Sequence, residues 1–369
     1  MDFSRREFVK LFAFFPSILR SLTLSFKDDD SLKESMFYKK LPEKKIECQI
    51  CPKKCRVSDL ERGYCGNKEN RGGKYYSLVY SKPCAMHVDP IEKKPLFHYL
   101  PGSRALSIAT AGCNMECKFC QNWEISQFRP EQVRSSYLPP KKIVQLAKET
   151  KSLTIAYTYT EPVVFYTYMY DTAKMARAKG IGSVMISNGY INEEPMKKLC
   201  EILTGVKIDL KAFTENFYKK ICSGELKPVL NTLKLLRSLN IWYEIVVLII
   251  PTLNDSITEI KNMSSWIIDE LGDMVPVHFT RFYPTYKIKN LPPTPVSTLE
   301  EIRNTALAKG LKFVYIGNVP GHEAENTYCP SCGKILIQRV GFMIIKNLIK
   351  EGKCPYCNKV IPGVWSNPL

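Results

Sequence analysis

The chain has 369 residues, 45% of them hydrophobic and 24% charged, which supplies one large core with small satellites and excludes a disordered or collagen-like polymer. Its net charge of +17 is scattered in short groups such as "KKPL", "KKIV" and "KKL". That pattern reads as a solvated basic surface, the competing reading being an acidic protein or a nucleic acid met through electrostatic steering. No apolar run reaches the ~18–20 residues that a membrane-spanning helix needs, so no transmembrane segment is expected.

The chain begins with "SRREFVKLFAFFPSILRSLTLSF", where Arg5 and Arg6 precede a short apolar run in the manner of a twin-arginine export signal. No Ala-x-Ala cleavage site follows, and the segment runs into the acidic, polar "KDDDSLKES". Residues 1–44 are therefore expected to form a leader and linker, or an amphipathic helix docked on the body or on a membrane surface. A cytoplasmic location is expected, because the chemistry inferred below uses cytosolic reagents; export by the twin-arginine pathway is the alternative.

Fourteen cysteines are present, and most fall into three tight groups with metal-ligand spacing, which points to metals in a reducing compartment rather than to a disulfide scaffold. The first group, in an N-terminal cysteine-rich module expected over residues 45–100, is Cys48, Cys51, Cys55 and Cys65. Four thiolates among turn-forming Pro and Gly residues can wrap one zinc or one iron–sulfur cluster, and spacing does not choose between them. Cys84, Cys200 and Cys222 stand alone and read as inert buried thiols.

The second group, Cys113, Cys117 and Cys120 in "AGCNMECKFCQNW", has only three members. Three thiolates hold three irons of a 4Fe–4S cluster and leave the fourth open, and an open iron is a catalytic iron. The preceding "ALSIAT" reads as a strand, which places these cysteines on the loop leaving its carboxyl end, where barrel active sites lie.

From there the pattern alternates. Short apolar runs in "SLTIAYTYTEP", "GIGSVMISNGY", "LTGVKIDLKAF", "NIWYEIVVLIIP", "VPVHFTRFYP" and "KFVYIGNVPG" break into polar residues, with helix-like segments between them. Examples are "PKKIVQLAKET" and "EPVVFYTYMYDTAKMARAKG", the latter expected to stop at Gly180. Such repetition implies parallel strands with helical crossovers, hence a partial or full (β/α) barrel over residues 101–322, with six or seven strands. The third cysteine group, Cys329, Cys332, Cys354 and Cys357, forms two Cys-x2-Cys knuckles across a strand-like segment. It is expected to make a zinc ribbon over residues 323–369, a rubredoxin-like iron being the alternative. Both four-cysteine sites would be structural.

With Phe119 as the aromatic residue before its last cysteine, the central motif resembles that of the radical S-adenosylmethionine (SAM) superfamily. The resemblance implies that a one-electron reduction of the cluster cleaves chelated SAM to a 5′-deoxyadenosyl radical, which abstracts hydrogen from a substrate. "YTEP" stands where the superfamily has Gly-Gly-Glu: Thr160 lies beside Glu161, which would accept from the methionyl ammonium, although Tyr159 and Thr160 replace two glycines. "SNG", with Ser187 and Asn188, and "DLK", with Asp209 and Lys211, resemble the cofactor-binding segments of glycyl-radical enzyme activases. His278 is a further candidate for contact with the adenosine or substrate. His87, His98 and His322 are expected to be structural, and Tyr283 and Cys84 are radical-relay suspects only.

A longer resemblance, carried by "CPKKCRVSDLERGYCGNKENRGGKYYSLVY", "DPIEKKPLFHYLPGS", "IPTLND", "HFTRFYP", "YIGNVPG" and "TYCPSCG", covers about Lys45 to Trp365. These segments look like the radical enzyme of the AmmeMemoRadiSam system, whose relatives are called pyruvate formate-lyase activating-like. The resemblance implies partners of the AMMECR and Memo families and an electron donor such as flavodoxin or ferredoxin; no nucleic acid is expected. Ile186 stands where a true activase carries an acidic residue, which argues against glycyl-radical activation. The remaining alternatives are an exported iron–sulfur electron carrier and a multi-zinc nucleic-acid-binding module.

Overall fold

The structure is a computed structural model describing residues 32–369. The arginine pair of the leader lies outside the described residues, and no helix among those described is long and apolar enough to cross a membrane.

The centre of the molecule is one eight-stranded sheet in chain order: β1 (Ala85–Pro90), β2 (Arg104–Ala109), β3 (Thr154–Tyr157), β4 (Gly182–Ser187), β5 (Gly205–Asp209), β6 (Tyr243–Ile249), β7 (Val277–Arg281) and β8 (Val314–Gly317). Strands β2 to β8 are parallel, each joined to the next by a crossover. The crossover helices are α1 (Pro140–Glu149), α2 (Tyr166–Arg177), α3 (Glu193–Cys200), α4 (Leu226–Ser238), α5 (Ile257–Leu271) and α6 (Val296–Lys309). The six runs expected to be strands after "ALSIAT" are strands, because residues such as Val206 and Ile208 are buried on one face while alternate residues face the other. Helix α2 ends at Arg177, and the chain turns at Gly180, whose φ of +66° is one that glycine adopts without strain.

The sheet order has β1 and β8 as its two ends, which makes a partial barrel. Strand β1, antiparallel to β2 with Ala85 opposite Ala109, was expected inside the cysteine-rich module; it belongs instead to the barrel sheet. Its "AMHVDP" carries Pro and polar residues and is exposed at Met86, His87 and Val88, so it lacks the apolar signature of its neighbours.

Two further boundaries differ from the sequence reading. Lys33–Glu34 and Tyr38–Lys40, expected as linker, are strands of two small antiparallel sheets completed by segments from residues 46–77. This N-terminal module is no satellite either: Ile46, Ile50, Val57 and Tyr75 belong to the same apolar core as the barrel. Met36 N–H donates to Thr167 Oγ1 at 3.2 Å, and the buried Lys68 donates to the Val164 carbonyl at 2.8 Å, which fastens the module beside β3 and α2.

The C-terminal module, β9 (Thr327–Tyr328), β10 (Ile335–Val340) and β11 (Met343–Asn347), is a three-stranded antiparallel sheet. Its core of Leu336, Ile337, Cys329, Cys354 and Ile361 continues into Phe97, Phe313 and Tyr315 at the amino ends of the barrel strands. Arg339 closes this floor, donating to the Phe97 carbonyl at 2.8 Å and to Thr327 Oγ1 at 2.8 Å, with its guanidinium 4.2 Å from the centre of the Phe97 ring.

Candidate active site

The loop between β2 and α1 carries the three central cysteines and is held from three directions. Glu116 N–H and Lys118 N–H donate to the carbonyls of Cys222 and Ile221 at 2.9 and 3.0 Å. Asn114 Nδ2 donates to the Tyr190 carbonyl, and Asn188 Nδ2 donates to Asn114 Oδ1, each at 2.8 Å. Gly112 turns with φ +90° under the Asn67 side chain, where any Cβ would collide. The loop is thus fixed by neighbouring elements rather than by its own short helix.

A cavity of about 500 Å³ opens at the carboxyl ends of the strands, within the range that holds a cofactor-sized ligand. Cys113, Cys117 and Cys120 line one side; Thr160 and Glu161 beyond β3, Asn188 beyond β4, Asp209 and Lys211 on and beyond β5, and Phe119 line the others. Residues from three separate strand ends and one loop are brought together here, which is what parallel strands with crossovers provide.

Glu161 is the most constrained of them. Its Oε1 accepts from Ser187 Oγ at 2.7 Å and Val163 N–H at 3.1 Å, and its Oε2 accepts from Asn188 N–H at 2.8 Å. Burial pushes its pKa up to about 7 in spite of these donors. Ser187 is therefore a residue that orients Glu161, not one lining the cavity.

Asp209 bridges two lysines, Lys207 beside it and Lys211 at 3.4 Å. Burial opposes ionisation of Asp209, but the two ammonium groups outweigh it and hold its pKa below the ordinary value. Lys211 lies 5.7 Å from the centre of the Phe119 ring, which itself packs against Phe217.

Tyr159 fills a place where the superfamily pattern has glycine and adopts a glycine-like φ of +64°. A side chain in that region costs on the order of 1 kcal/mol. The strain is held by the phenol, which donates to Asp89, and by Asn122 Nδ2, which donates to the Tyr159 carbonyl at 2.8 Å.

Three residues of the site were not singled out as site residues in the sequence. Lys94 is 2% exposed, lies 2.6 Å from Asp89 and lines the cavity; burial lowers its pKa to about 8 against the pull of that carboxylate. Lys207 is the second. The third is Cys222, read as inert: its thiol hydrogen-bonds to Cys117 and, against burial, lowers the pKa of that cysteine. No spacing rule connects positions 117 and 222; only the pairing of the cysteine loop with residues 221–222 does. Because hydrogen bonds to cluster sulfurs raise reduction potential, Cys222→Ala is expected to lower the potential of the central cluster. A redox titration followed by electron paramagnetic resonance reads the shift, and an unchanged midpoint would show that Cys222 only packs.

His278 lies elsewhere. It is 1% exposed, with Nε2 2.7 Å from Glu244 Oε2, one layer below the cavity and in contact with Phe97 and Tyr315. Its strand was read correctly, but its place along the strand is near the barrel floor, so it reaches no cavity-lining position. His322 pairs with Glu300 at 3.1 Å on the outside, and Tyr283 reaches the Asn318 carbonyl at 3.3 Å.

The strand ends of a partial parallel barrel thus surround three thiols in one cavity. Residues 107–264 match the Radical SAM superfamily. The chain is also 48% identical over 332 residues to an uncharacterized protein of Methanocaldococcus jannaschii, covering 89% of this chain and 99% of that one. The chain belongs to the radical SAM superfamily, whose members carry a 4Fe–4S cluster and SAM. A further M. jannaschii protein, provisionally named a glycyl-radical enzyme activating enzyme, is 25% identical over 178 residues, covering 47% of this chain and 66% of that one. Similar solved structures include a radical SAM methyltransferase from Sphaerobacter thermophilus, at 12% identity and a TM-score of 0.48, covering 62% of this chain and 71% of that one. A domain of a pyruvate-formate lyase-activating enzyme from Bacteroides vulgatus has 15% identity and a TM-score of 0.39, covering 44% of this chain and 98% of that one.

Proposed function

We propose that Cys113, Cys117 and Cys120 hold the catalytic cluster and that the cavity beside them binds SAM next to a substrate from which hydrogen is abstracted. The observation that carries this reading is the cavity itself, which joins the three thiols to a buried carboxylate and a lysine–aspartate–lysine bridge in one chamber. When bound, the cluster and SAM together supply reductive cleavage to a 5′-deoxyadenosyl radical. The chain's own groups bind and orient. Glu161, fixed by three donors, would accept from the methionyl ammonium; Lys211 would pair with the cofactor carboxylate; Phe119, packed on Phe217, would keep water from the cysteine loop.

Glycyl-radical activation is the second reading, favoured by the 25% identical relative. It is weakened by Ile186, an apolar side chain lining the cavity. The AmmeMemoRadiSam resemblance supports partners of the AMMECR and Memo families and a cytoplasmic setting in which flavodoxin or ferredoxin supplies electrons.

At the C-terminal end, Cys329 Sγ and Cys357 Sγ are 3.5 Å apart, Cys332 Sγ and Cys354 Sγ 3.8 Å, and all four lie within 4.8 Å. Four thiolates around one tetrahedral zinc stand ~3.8 Å apart, and so this ribbon fits structural zinc.

The test is anaerobic reconstitution with iron and sulfide, dithionite reduction, addition of SAM and assay for 5′-deoxyadenosine beside a Cys117→Ala control. Product is expected from the parent only. A parent that binds a full cluster and yields none, with or without partner proteins, would remove this function.

A further inference from the structure

The four thiols of the N-terminal module differ from those of the ribbon. Among the described residues, only the ribbon set brings three or more Cys, His, Asp or Glu ligand atoms all within 4.8 Å. No three of Cys48, Cys51, Cys55 and Cys65 do so, and neither do Cys113, Cys117 and Cys120. The four belong to one small fold: Cys48 N–H donates to the Cys55 carbonyl at 2.9 Å, and Tyr64 N–H, next to Cys65, donates to Cys55 Sγ at 3.3 Å. Thiolates around zinc stand ~3.8 Å apart. Those around a 4Fe–4S cube stand roughly 6 Å apart, since each reaches outward from its own iron. The N-terminal set, like the central triad, is not drawn in to the ribbon's close spacing.

The surroundings suit a redox centre. Tyr64 N–H donates to Cys55 Sγ at 3.3 Å, a hydrogen bond of the kind that sets cluster potential. Cys48 is buried, whereas Cys51, Cys55 and Cys65 are half-exposed, so the set spans from interior to surface.

The module also abuts the catalytic loop. Tyr64, bonded through its backbone to Cys55, donates from its hydroxyl to Glu116, next to Cys117, at 2.6 Å. On a second route, Asn192 N–H donates to the carbonyl of Ile50, next to Cys51, at 2.9 Å, and nearby Tyr190 accepts through its carbonyl from Asn114, the neighbour of Cys113. Lys53 Nζ donates to the Ser223 carbonyl at 2.7 Å, which ties the module to the segment whose Cys222 carbonyl receives Glu116 N–H of the catalytic loop. The first route runs through Tyr64 and Glu116, which adjoin Cys65 and Cys117, and the second ends on Asn114, which adjoins Cys113.

We propose that Cys48, Cys51, Cys55 and Cys65 hold a second 4Fe–4S cluster that relays electrons to the catalytic one. The relay rests on the function proposed above; the second cluster itself does not. A one-electron donor of the flavodoxin or ferredoxin class is oxidised at the module surface, and one Fe3+ equivalent of the N-terminal cluster is reduced. That electron passes to the catalytic cluster, which returns the relay to its oxidised state. No bond is made or broken and no proton moves until the electron reaches SAM. This arrangement lets a bulky donor deliver charge without entering a chamber filled by cofactor and substrate.

Two variants test it. The Cys113→Ala/Cys117→Ala/Cys120→Ala protein leaves the module intact; reconstituted anaerobically with iron and sulfide, it is expected to keep half of the parent's iron and to give a reduced-cluster resonance signal with dithionite. A variant that takes up no iron and carries two zinc ions per chain overturns the proposal. In Cys48→Ser/Cys51→Ser, the ratio of flavodoxin-driven to dithionite-driven 5′-deoxyadenosine is expected to fall at least about tenfold, because dithionite reaches the catalytic cluster directly. An unchanged ratio overturns the relay, and the ratio corrects for partial unfolding. A parent that makes no 5′-deoxyadenosine refutes the radical function while the iron content of the triple variant still decides the second cluster.

Discussion

Glu244→Ala is expected to destabilise the barrel by about 3–5 kcal/mol, the range seen when one partner of a buried charged network is removed. Glu244 is fully buried on β6. Its carboxylate accepts from Phe97 N–H at 3.0 Å, His98 N–H at 2.8 Å and Trp242 Nε1 at 3.3 Å, and lies 2.7 Å from His278 Nε2. Burial would raise its pKa, but the contact with His278 and these donors hold it below the ordinary value. Alanine leaves four donors facing a dry floor, each worth ~1–3 kcal/mol when unsatisfied. Denaturant unfolding of the anaerobic protein measures the loss. A change below about 1 kcal/mol would mean that water takes the carboxylate's place.

The second large effect concerns cofactor affinity and pH. In the cofactor-free protein Glu161 titrates near 7, against an ordinary value of 4.5. Between those values the folded chain holds a proton that the unfolded chain has released. Stability is therefore lost as pH rises from 4.5 through 7, by on the order of 3 kcal/mol. An ammonium ion beside Glu161 reverses that cost by favouring the carboxylate. SAM binding is expected to weaken about tenfold for each pH unit below 7 and to level off above it. Glu161→Gln should abolish the slope and weaken binding by about 10–100-fold, the worth of a hydrogen bond to a charged group. Equilibrium binding at pH 6 and pH 8 separates the cases; an affinity independent of pH in the parent would place the ammonium elsewhere.

The parallel strands were legible because both faces of the sheet are covered, which writes each strand as an uninterrupted apolar run that ends where polar residues begin. The central triad was legible for the same local reason, its spacing lying within one loop. Glu161, Asn188, Asp209 and Lys211 each end or follow such a run, and that is why they line one cavity. What was hidden depends on long-range contact. Strand β1 is exposed and contains Pro90, so it resembles a loop until Ala109 and its neighbours pair with it. Lys94 becomes a site residue through Asp89 and Tyr159, and Cys222 through the cysteine loop. His278 misled for a related reason: a strand can be read from sequence, but the level at which its residues stand in a barrel depends on register with β6 and β8.

The ribbon touches the barrel at both ends of its axis. Arg339 of β10 braces the floor at Phe97, and Phe342, three residues later at the hairpin tip, lines the chamber above. One hairpin thus acts as a strut spanning the depth of the barrel, tying its base to its rim. If Cys329, Cys332, Cys354 and Cys357 hold an ion, its loss would release both ends together, so that ion would act as a remote fastener of the chamber, and damage there would be felt as leakage of water into it.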